Sequence, residues 1–353
     1  MFETFGFEEL TAPQAAVYFA LVIGVAFGAL AQITRFCFRR AIVGEDRRQA
    51  TGVWLTALAV AVLGTQAAVS AELITFADHR FMAADLPVLA IVAGGLLFGI
   101  GMVLTRGCVS RLTVLTGSGN LRAALVLVVF AVIAHATLKG VLAPVRTTLA
   151  QVTVPLETAT LPGSPLIWAA LIAVAALAFA LRSGNRIGAL LGAALIGALV
   201  PLAWVGTGYV LLDEFDPIAL ESLSFTAPAA DTLFWGIAST SISANFGVGL
   251  LGGVLVGALL AALLRGQFQW QSFETARQTG RYLTGAALMG VGGVLAGGCT
   301  VGAGLSGIPT LSISAILAIA SIAAGGWLAG RVLSASSSGS AAASTTPPLQ
   351  PAE

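Results

Sequence analysis

Nine apolar segments, each near the length that crosses a bilayer, follow one another along the 353-residue chain. A hydrocarbon core of about 30 Å needs about 20 helical residues. The chain is 57% hydrophobic and 9% charged, whereas soluble domains carry about 25% charged residues. We therefore predict an all-α polytopic membrane protein of about nine transmembrane helices, with some short segments as re-entrant helices or loops. The segments lie near residues 14–34, 51–70, 87–105, 121–141, 164–181, 187–212, 247–264, 282–297 and 310–330.

Composition also excludes several classes of function. A net charge of +1 leaves no basic surplus for a nucleic-acid backbone. The three cysteines include no Cys-x-x-Cys pair, and only His79 and His135 offer imidazole ligands, so we predict no metal and no other cofactor. No phosphate-binding Gly-x4-Gly-Lys-Ser/Thr loop occurs. The acidic N-terminus is unlike a cleaved signal peptide, so the first apolar segment is expected to remain as a span.

The distribution of basic residues predicts the orientation. With the N-terminus outside and nine spans, all but three of the 17 basic residues fall on inner segments. Cytoplasmic loops of membrane proteins carry such an excess of Lys and Arg. The exceptions are Arg80, Lys139 and Arg146. We therefore predict a multi-pass protein of a bacterial cytoplasmic membrane, surrounded by lipid, with the N-terminus outside and the C-terminus in the cytoplasm.

The same threading divides the chain into five parts. Two membrane halves are separated by a proline-containing connector on the outer side, and the C-terminal end has the composition of a disordered cytoplasmic tail. A second outer loop, 213–231, is acidic, and we expect an anion site to lie apart from it. The predicted parts are an outer N-terminal segment 1–13, a first half 14–141, a connector 142–163, a second half 164–330 and the tail 331–353.

A repeated motif surrounds the cysteines. A glycine stands nine residues before each cysteine, and an arginine stands two residues before the first two. A weaker fourth copy runs from Gly236 to Asn245. Because the second and third copies lie on spans that run in opposite directions, the two halves are predicted to be inverted, pseudo-symmetric repeats. The matched positions are Gly28, Arg35 and Cys37; Gly99, Arg106 and Cys108; and Gly290 and Cys299.

These motifs suit a polar path for an anion. Glycine allows a membrane helix to stop and turn, and a broken helix exposes unpaired N–H groups. Arg106 and Arg111 should face a cavity, an interface or an anion, because a bare charge in hydrocarbon is unfavourable. Thr300 and the glycine-rich loop 302–307 add donors. An isolated membrane cysteine is usually a small apolar filler, but matched motifs with no cysteine elsewhere favour a function.

Two of the cysteine motifs together resemble the YeeE/YedE family of bacterial membrane proteins. They are Arg106-Gly107-Cys108 followed by the Gly-Ser-Gly-Asn-Leu-Arg segment 117–122, and the glycine-rich segment 297–307. Arg35-Phe36-Cys37-Phe38 fits the same family, and the resemblance covers residues ~14–330. Its best understood branch consists of thiosulfate uptake transporters, whose central pathway is formed by inward-dipping helices and carries three cysteines. Cys37, Cys108 and Cys299 would correspond to them.

The resemblance implies a transporter, and not an enzyme, that imports thiosulfate or a related sulfur anion. A thiol is a weak donor suited to a transient contact with soft sulfur. A separate sulfur carrier of the TusA type is the implied cytoplasmic partner. The alternatives are a membrane thiol protein that transfers sulfane sulfur to such a carrier, a transporter of another sulfur or selenium compound, and a scaffold. The predicted substrate-binding residues are Cys37, Cys108, Cys299, Arg35, Arg106, Arg111, Thr300 and Asn245.

The sequence leaves the driving force open. The acidic residues fall outside the predicted spans, so no carboxylate for proton coupling is apparent. His135 lies within a span, where a proton relay and a helix–helix hydrogen bond are equally compatible with its position.

Overall fold

Helices form almost all of the regular structure in the computed structural model, which describes residues 10–213, 216–273 and 275–342. Two strands of two residues each, Asp85–Leu86 and Val154–Pro155, pair antiparallel. π-helical turns at Gly206–Val210 and Thr300–Gly307 extend or interrupt the helices. The α-helices are α1 (Ala12–Thr34), α2 (Phe38–Val43), α3 (Arg47–Ser70), α4 (Val88–Leu104), α5 (Val109–Gly117), α6 (Leu121–Lys139), α7 (Ala143–Ala150), α8 (Pro165–Leu181), α9 (Ile187–Val205), α10 (Thr226–Ala238), α11 (Phe246–Leu264), α12 (Ala276–Leu295) and α13 (Ile313–Ala342).

The predicted fold class is confirmed. Among the described residues, eight helical stretches are long and apolar enough to cross a membrane. The predicted span at 164–181 is the shorter apolar helix α8, of 17 residues. Each of the nine apolar segments predicted from the sequence therefore contains a helix. Eight of these helices belong to the long apolar stretches, and the ninth is α8.

The structure places the short helices and extends the last helix beyond its predicted end. The sequence predicts short re-entrant segments without their positions, and the short helices are α2, α5, α7 and α10, none of which has the apolar length of a span. Helix α13 continues through Ala342, so residues 331–342 are helical where a disordered tail was predicted. The rest of that tail, 343–353, and residues 1–9 of the N-terminal segment lie outside the described residues.

Glycines allow α1 and α11 to run parallel in direct backbone contact. A Cβ added to any of three glycines spaced four residues apart on α11 would strike a carbonyl oxygen of α1. Such spacing is the usual sequence pattern of close helix packing in membranes. This contact aligns the end of α1, where the first cysteine motif lies, with the C-terminal end of α11. The pairs are Val17 with Gly249, Leu21 with Gly253 and Val25 with Gly257.

Helices α4 and α12 cross antiparallel with reciprocal contacts. The repeat alignment pairs each position of α4 with one 191 residues later, as Cys108 with Cys299. Contacts follow that pairing in both directions, which is the property of a two-fold axis. The two halves are therefore inverted about the α4–α12 crossing, as the repeat predicts. The reciprocal contacts are Gly101 with Met289 and Gly292 with Phe98, and Gly94 with Ala296 and Gly285 with Thr105.

Adjacent glycines on α11 provide a test of this packing. An added Cβ at Gly253 would lie against the Leu21 carbonyl and 2.9 Å from the Val25 nitrogen, whereas one at Gly252 would meet nothing within 4 Å. We expect Gly253→Ala to destabilise the protein by about 1–3 kcal/mol, since overpacking forces the helices apart. Gly252→Ala should be neutral or slightly stabilising, because alanine favours a helix. Thermal unfolding of both variants in detergent checks this, and equal effects would contradict it.

Candidate functional site

Each cysteine motif breaks a membrane helix at the same position. The residue two before each cysteine has a left-handed backbone: Arg35 at φ 54°, Arg106 at φ 62° and Gly297 at φ 72°. Left-handed geometry strains non-glycine residues by about 1–2 kcal/mol, so the two arginines retain conformational strain. Backbone hydrogen bonds of 3.1 Å from Phe36 N to the Ala31 carbonyl and 3.0 Å from Gly107 N to the Met102 carbonyl close these helix ends.

Each cysteine then stands at the N-cap of the next helical segment. Cys37 precedes α2, Cys108 precedes α5 and Cys299 precedes Thr300–Gly307. The first backbone N–H groups of a helix lack intrahelical partners and carry a partial positive charge. The Cys299 sulfur accepts one of them, from Gly302 N at 3.4 Å. The motif thus places a thiol among free N–H groups inside the membrane domain.

The three thiols are buried and belong to one cluster. Cys37, Cys108 and Cys299 are 5%, 1% and 0% exposed, and none forms a disulfide. The Cys108 thiol interacts with the Cys37 thiol and lies 3.2 Å from the Ser110 hydroxyl. The Thr300 hydroxyl lies nearby, but without the geometry of a hydrogen bond to the Cys108 thiol. Cys299 lies within electrostatic range of Cys108. Cysteines separated by up to 262 positions in the sequence are therefore neighbours in the fold.

Donors without partners surround this cluster. The Thr300 hydroxyl, the Trp54 indole N–H and one terminal nitrogen of Arg111 are buried, and none has a hydrogen-bond partner among the described residues. Trp54 packs on Phe38, next to Cys37, with ring centroids 5.0 Å apart. Leaving a buried donor unpaired is unfavourable by about 1–3 kcal/mol. Such a concentration of them around the thiols is typical of a site that receives a polar ligand.

A cavity of about 370 Å³ adjoins the Cys37 and Cys108 side of the cluster, and it is called the inner cavity after the side on which the predicted orientation places it. Arg111 lines it and also interacts electrostatically with both thiols. Arg40, another lining residue, forms an ion pair with Asp46, and this guanidinium lowers the pKa of the Asp46 carboxyl. No described lining residue is acidic. The remaining polar lining residues are Gln32, Arg35, Ser118, Asn120, Gln267, Gln269 and Gln271.

An extended segment supplies three of the four glutamines that line the inner cavity. Gln269 N and Gln271 N donate to the Ser118 and Gly119 carbonyls at 3.2 Å each. Because side chains alternate along an extended chain, Gln267, Gln269 and Gln271 share one face, and all three line the cavity. The sequence contains this alternation, but its meaning depends on the pairing with residues 118–121.

A second cavity of about 1070 Å³ adjoins the Cys299 side, and it is called the outer cavity after the same predicted orientation. Its lining includes Gly302 and Ser306, on the segment that Cys299 caps, and the Ser306 hydroxyl donates to the Leu223 carbonyl at 2.7 Å. Arg80 also lines it and interacts electrostatically with Cys299. Residues 218–224 form one wall. The acidic loop that we expected to lie apart from a candidate anion site therefore lines the larger cavity.

The two cavities lie at opposite ends of α11. Phe246, its first residue, lines the outer cavity, and Gln267, just beyond its last turn, lines the inner one. Nineteen helical residues rise about 28 Å at 1.5 Å each, which is close to the thickness of a bilayer core. The thiol cluster is therefore in contact, through Gly302 and Arg111, with cavities at the two faces of the membrane domain.

Most of the predicted site residues are brought together. Cys37, Cys108, Cys299, Thr300 and Arg111 form or adjoin the cluster, and Arg35 lines the inner cavity.

Two predicted residues lie elsewhere. Arg106 is exposed, and neither cavity includes it. Asn245 is an exposed N-cap of α11 whose side-chain oxygen accepts from Val248 N at 3.0 Å. The place beside Cys299 that a fourth copy would fill is taken by Ser224, which contacts Gly302, and by the Phe225 backbone, which hydrogen-bonds the thiol.

The helices and the enclosed thiols define a polytopic membrane protein whose polar interior lies between two cavities. Residues 33–328 match the family described as sulphur transport, and the chain belongs to this family, which confirms the resemblance to YeeE/YedE proteins. It is 27% identical over 317 residues to "Thiosulfate transporter TsuA" of Escherichia coli (strain K12), covering 81% of this chain and 85% of that protein. It is 26% identical over 341 residues to "Thiosulfate transporter TsuA" of Spirochaeta thermophila (strain ATCC 700085 / DSM 6578 / Z-1203), covering 88% and 97%.

Threonines with and without partners give a test of the site's energetics. Thr300→Val removes an unpaired buried hydroxyl, so we expect unchanged or slightly higher thermal stability. Thr105→Val is the matched control, because the Thr105 hydroxyl lies 2.9 Å from both the Gly101 and Gly107 carbonyls, between which its one O–H is shared. Loss of that hydroxyl should lower stability by about 1 kcal/mol. Thermal unfolding in detergent distinguishes the two, and a larger loss for Thr300→Val would contradict the unpaired state.

Proposed function

We propose that this protein imports thiosulfate, or a closely related sulfur-containing anion, through the thiol cluster from the outer to the inner cavity. The observation that carries the proposal is the position of three buried thiols between cavities at opposite ends of α11. The names of the two relatives support the choice of substrate. The protein acts as a transporter and forms no lasting bond to its substrate.

The direction and orientation have electrostatic support. The cavity that adjoins Cys37 and Cys108 is lined by arginines and glutamines without a described carboxylate, and it lies on the side where most basic residues fall. Positive residues favour the cytoplasmic side of bacterial membranes. The N-terminus is therefore outside and the C-terminus inside the cytoplasmic membrane. A sulfur carrier of the TusA type would receive the product at that face.

The donors around the thiols suit an anion with one soft sulfur and several oxygens. Thiols are weak donors for sulfur, and the unpaired groups of Thr300, Trp54 and Arg111 are available for oxygen. Weak contacts in series favour flux, since a site that binds too tightly does not release its ion. Replacing the hydration shell of a dianion in this way is what transport through a membrane interior requires.

Serine variants test the thiol path. Cys108→Ser and Cys299→Ser keep a small polar side chain but remove the soft sulfur contact, so we expect uptake of labelled thiosulfate into proteoliposomes to fall at least about tenfold, or about 1.4 kcal/mol. Thermal unfolding controls for folding. Full uptake by both variants would contradict a thiol path. A stable persulfide on one cysteine, detected by mass spectrometry after thiosulfate exposure, would favour sulfane-sulfur transfer instead.

Two arginines test the electrostatic contribution. Arg111 lies beside the thiols and lines the inner cavity, whereas Arg106 is exposed and lines neither cavity. We expect Arg111→Gln to lower the initial uptake rate by about tenfold or more, because a charge focused in a cavity concentrates counter-ions. Arg106→Gln should retain most of the uptake. Equal losses in this assay would show that Arg111 has no special role.

A further inference from the structure

Glu221 lies on the wall of the outer cavity, where hydrogen bonds hold its backbone. The Thr207 hydroxyl accepts from Glu221 N at 3.1 Å and donates to the Glu221 carbonyl at 2.8 Å. The next residue, Ser222, donates from its hydroxyl to the Val200 carbonyl at 3.1 Å. These bonds hold the backbone of residues 221 and 222 against α9 and the π-turn that follows it. The same segment continues to Leu223, whose carbonyl accepts from the Ser306 hydroxyl.

Arg80 lies in the field of both Glu221 and the Cys299 thiol. No ion pair joins Arg80 to Glu221 within 4 Å in the described part of the chain. The Arg80 guanidinium therefore remains available to another anion. The Arg80 side chain is accessible from the outer cavity, which protein encloses on several sides. The guanidinium is therefore placed to receive an anion on its way to Cys299.

The groups around Glu221 come from four elements. His79 packs between aromatic rings, with its centroid 5.2 Å from that of Trp204 and 4.8 Å from that of Phe81. The other described titratable or charged groups that face the cavity or act on Glu221 are Glu72 at the end of α3, Asp78 and Arg80 beside His79, Tyr209 in the π-turn after α9, and Asp231 on α10.

The carboxyl group of Glu221 is partly protonated close to neutral pH. Burial and the negative charge of Asp231, opposed by Arg80, raise the pKa of the Glu221 carboxyl to about 7. Burial and the positive charge of Arg80 lower the pKa of the neighbouring His79 to about 4, so the imidazole is uncharged at neutral pH. A dianion beside Arg80 would repel the charged carboxylate and compete for the guanidinium, and both effects favour the protonated acid.

We propose that Glu221 binds one proton from the outer solution when a divalent anion occupies the outer cavity beside Arg80, so that the anion and the proton are captured together. This inference deepens the proposed function and rests on it. Binding is reciprocal, so the proton strengthens anion binding as much as the anion strengthens proton binding. Capture of one proton lowers the net charge of the loaded site from −2 to −1.

The test is thiosulfate binding to the full-length protein in detergent, measured by calorimetry at pH 6 and pH 8 in buffers of different ionisation enthalpy. If the dianion raises the pKa of Glu221 by one further unit, the dissociation constant becomes about fivefold larger at pH 8 than at pH 6. Binding at pH 8 should also take up a fraction of a proton from the buffer. Glu221→Gln should remove both the pH dependence and the proton uptake.

Two further variants and three contrary outcomes make the test decisive. Glu157→Gln, on the exposed outer connector, should keep the pH dependence, and Glu221→Asp should keep it with a shifted midpoint. Equal affinity of the unmodified protein at both pH values, or full pH dependence in Glu221→Gln, would overturn this inference alone. Failure of the folded, unmodified protein to bind thiosulfate at either pH would overturn it together with the proposed substrate.

Discussion

Direct backbone contact between glycine-bearing helices is the interaction on which the rest of the structure depends. Helices of ordinary composition pack 8–10 Å apart, but glycine lets the carbonyls of one helix touch the Cα atoms of the next. Glycines make such contacts between α1 and α11 and across the α4–α12 crossing. Lipid offers no hydrophobic driving force for helix association, so van der Waals contact over these surfaces must supply it. The contact also brings three separate helix breaks to one place.

Those breaks create the chemistry of the interior. An unbroken membrane helix satisfies its own backbone groups and leaves nothing for a ligand. Ending α1, α4 and α12 at left-handed residues, and restarting with cysteines at the N-caps, exposes N–H groups beside thiols. Within a site closed to lipid, such groups are tolerated because they line polar space. The unpaired Thr300, Trp54 and Arg111 donors further lower the stability of the fold. The packing of the glycine-bearing helices around them offsets that loss.

The two cavities differ in charge, and this difference would give the proposed path a polarity. Arginines and amides line the inner cavity, whereas the outer one combines a single described arginine, Arg80, with several carboxylates. Glu221 comes from an acidic loop that sequence reasoning separated from any anion site, since like charges repel. Burial, however, raises the pKa of the Glu221 carboxyl to about 7. The charge of this side chain therefore depends on the pH and on what occupies the cavity. A carboxylate that can be neutralised is compatible with an anion path, whereas a permanently charged one is not.

The sequence by itself determined the fold class, the positions of the nine apolar helices and the inverted repeat around Cys108 and Cys299, because length, hydropathy and motif spacing are local properties. It also identified Cys37, Thr300 and Arg111, since their motifs are visible in the chain. Only the tertiary structure decided that the side chains of Arg106 and Asn245 are exposed and line neither cavity, that Ser224 and Phe225 stand beside Cys299, and that Arg80 and Glu221 share the outer cavity. Those placements depend on which helix ends meet in space, and that is set by side-chain and backbone packing between segments far apart in the chain.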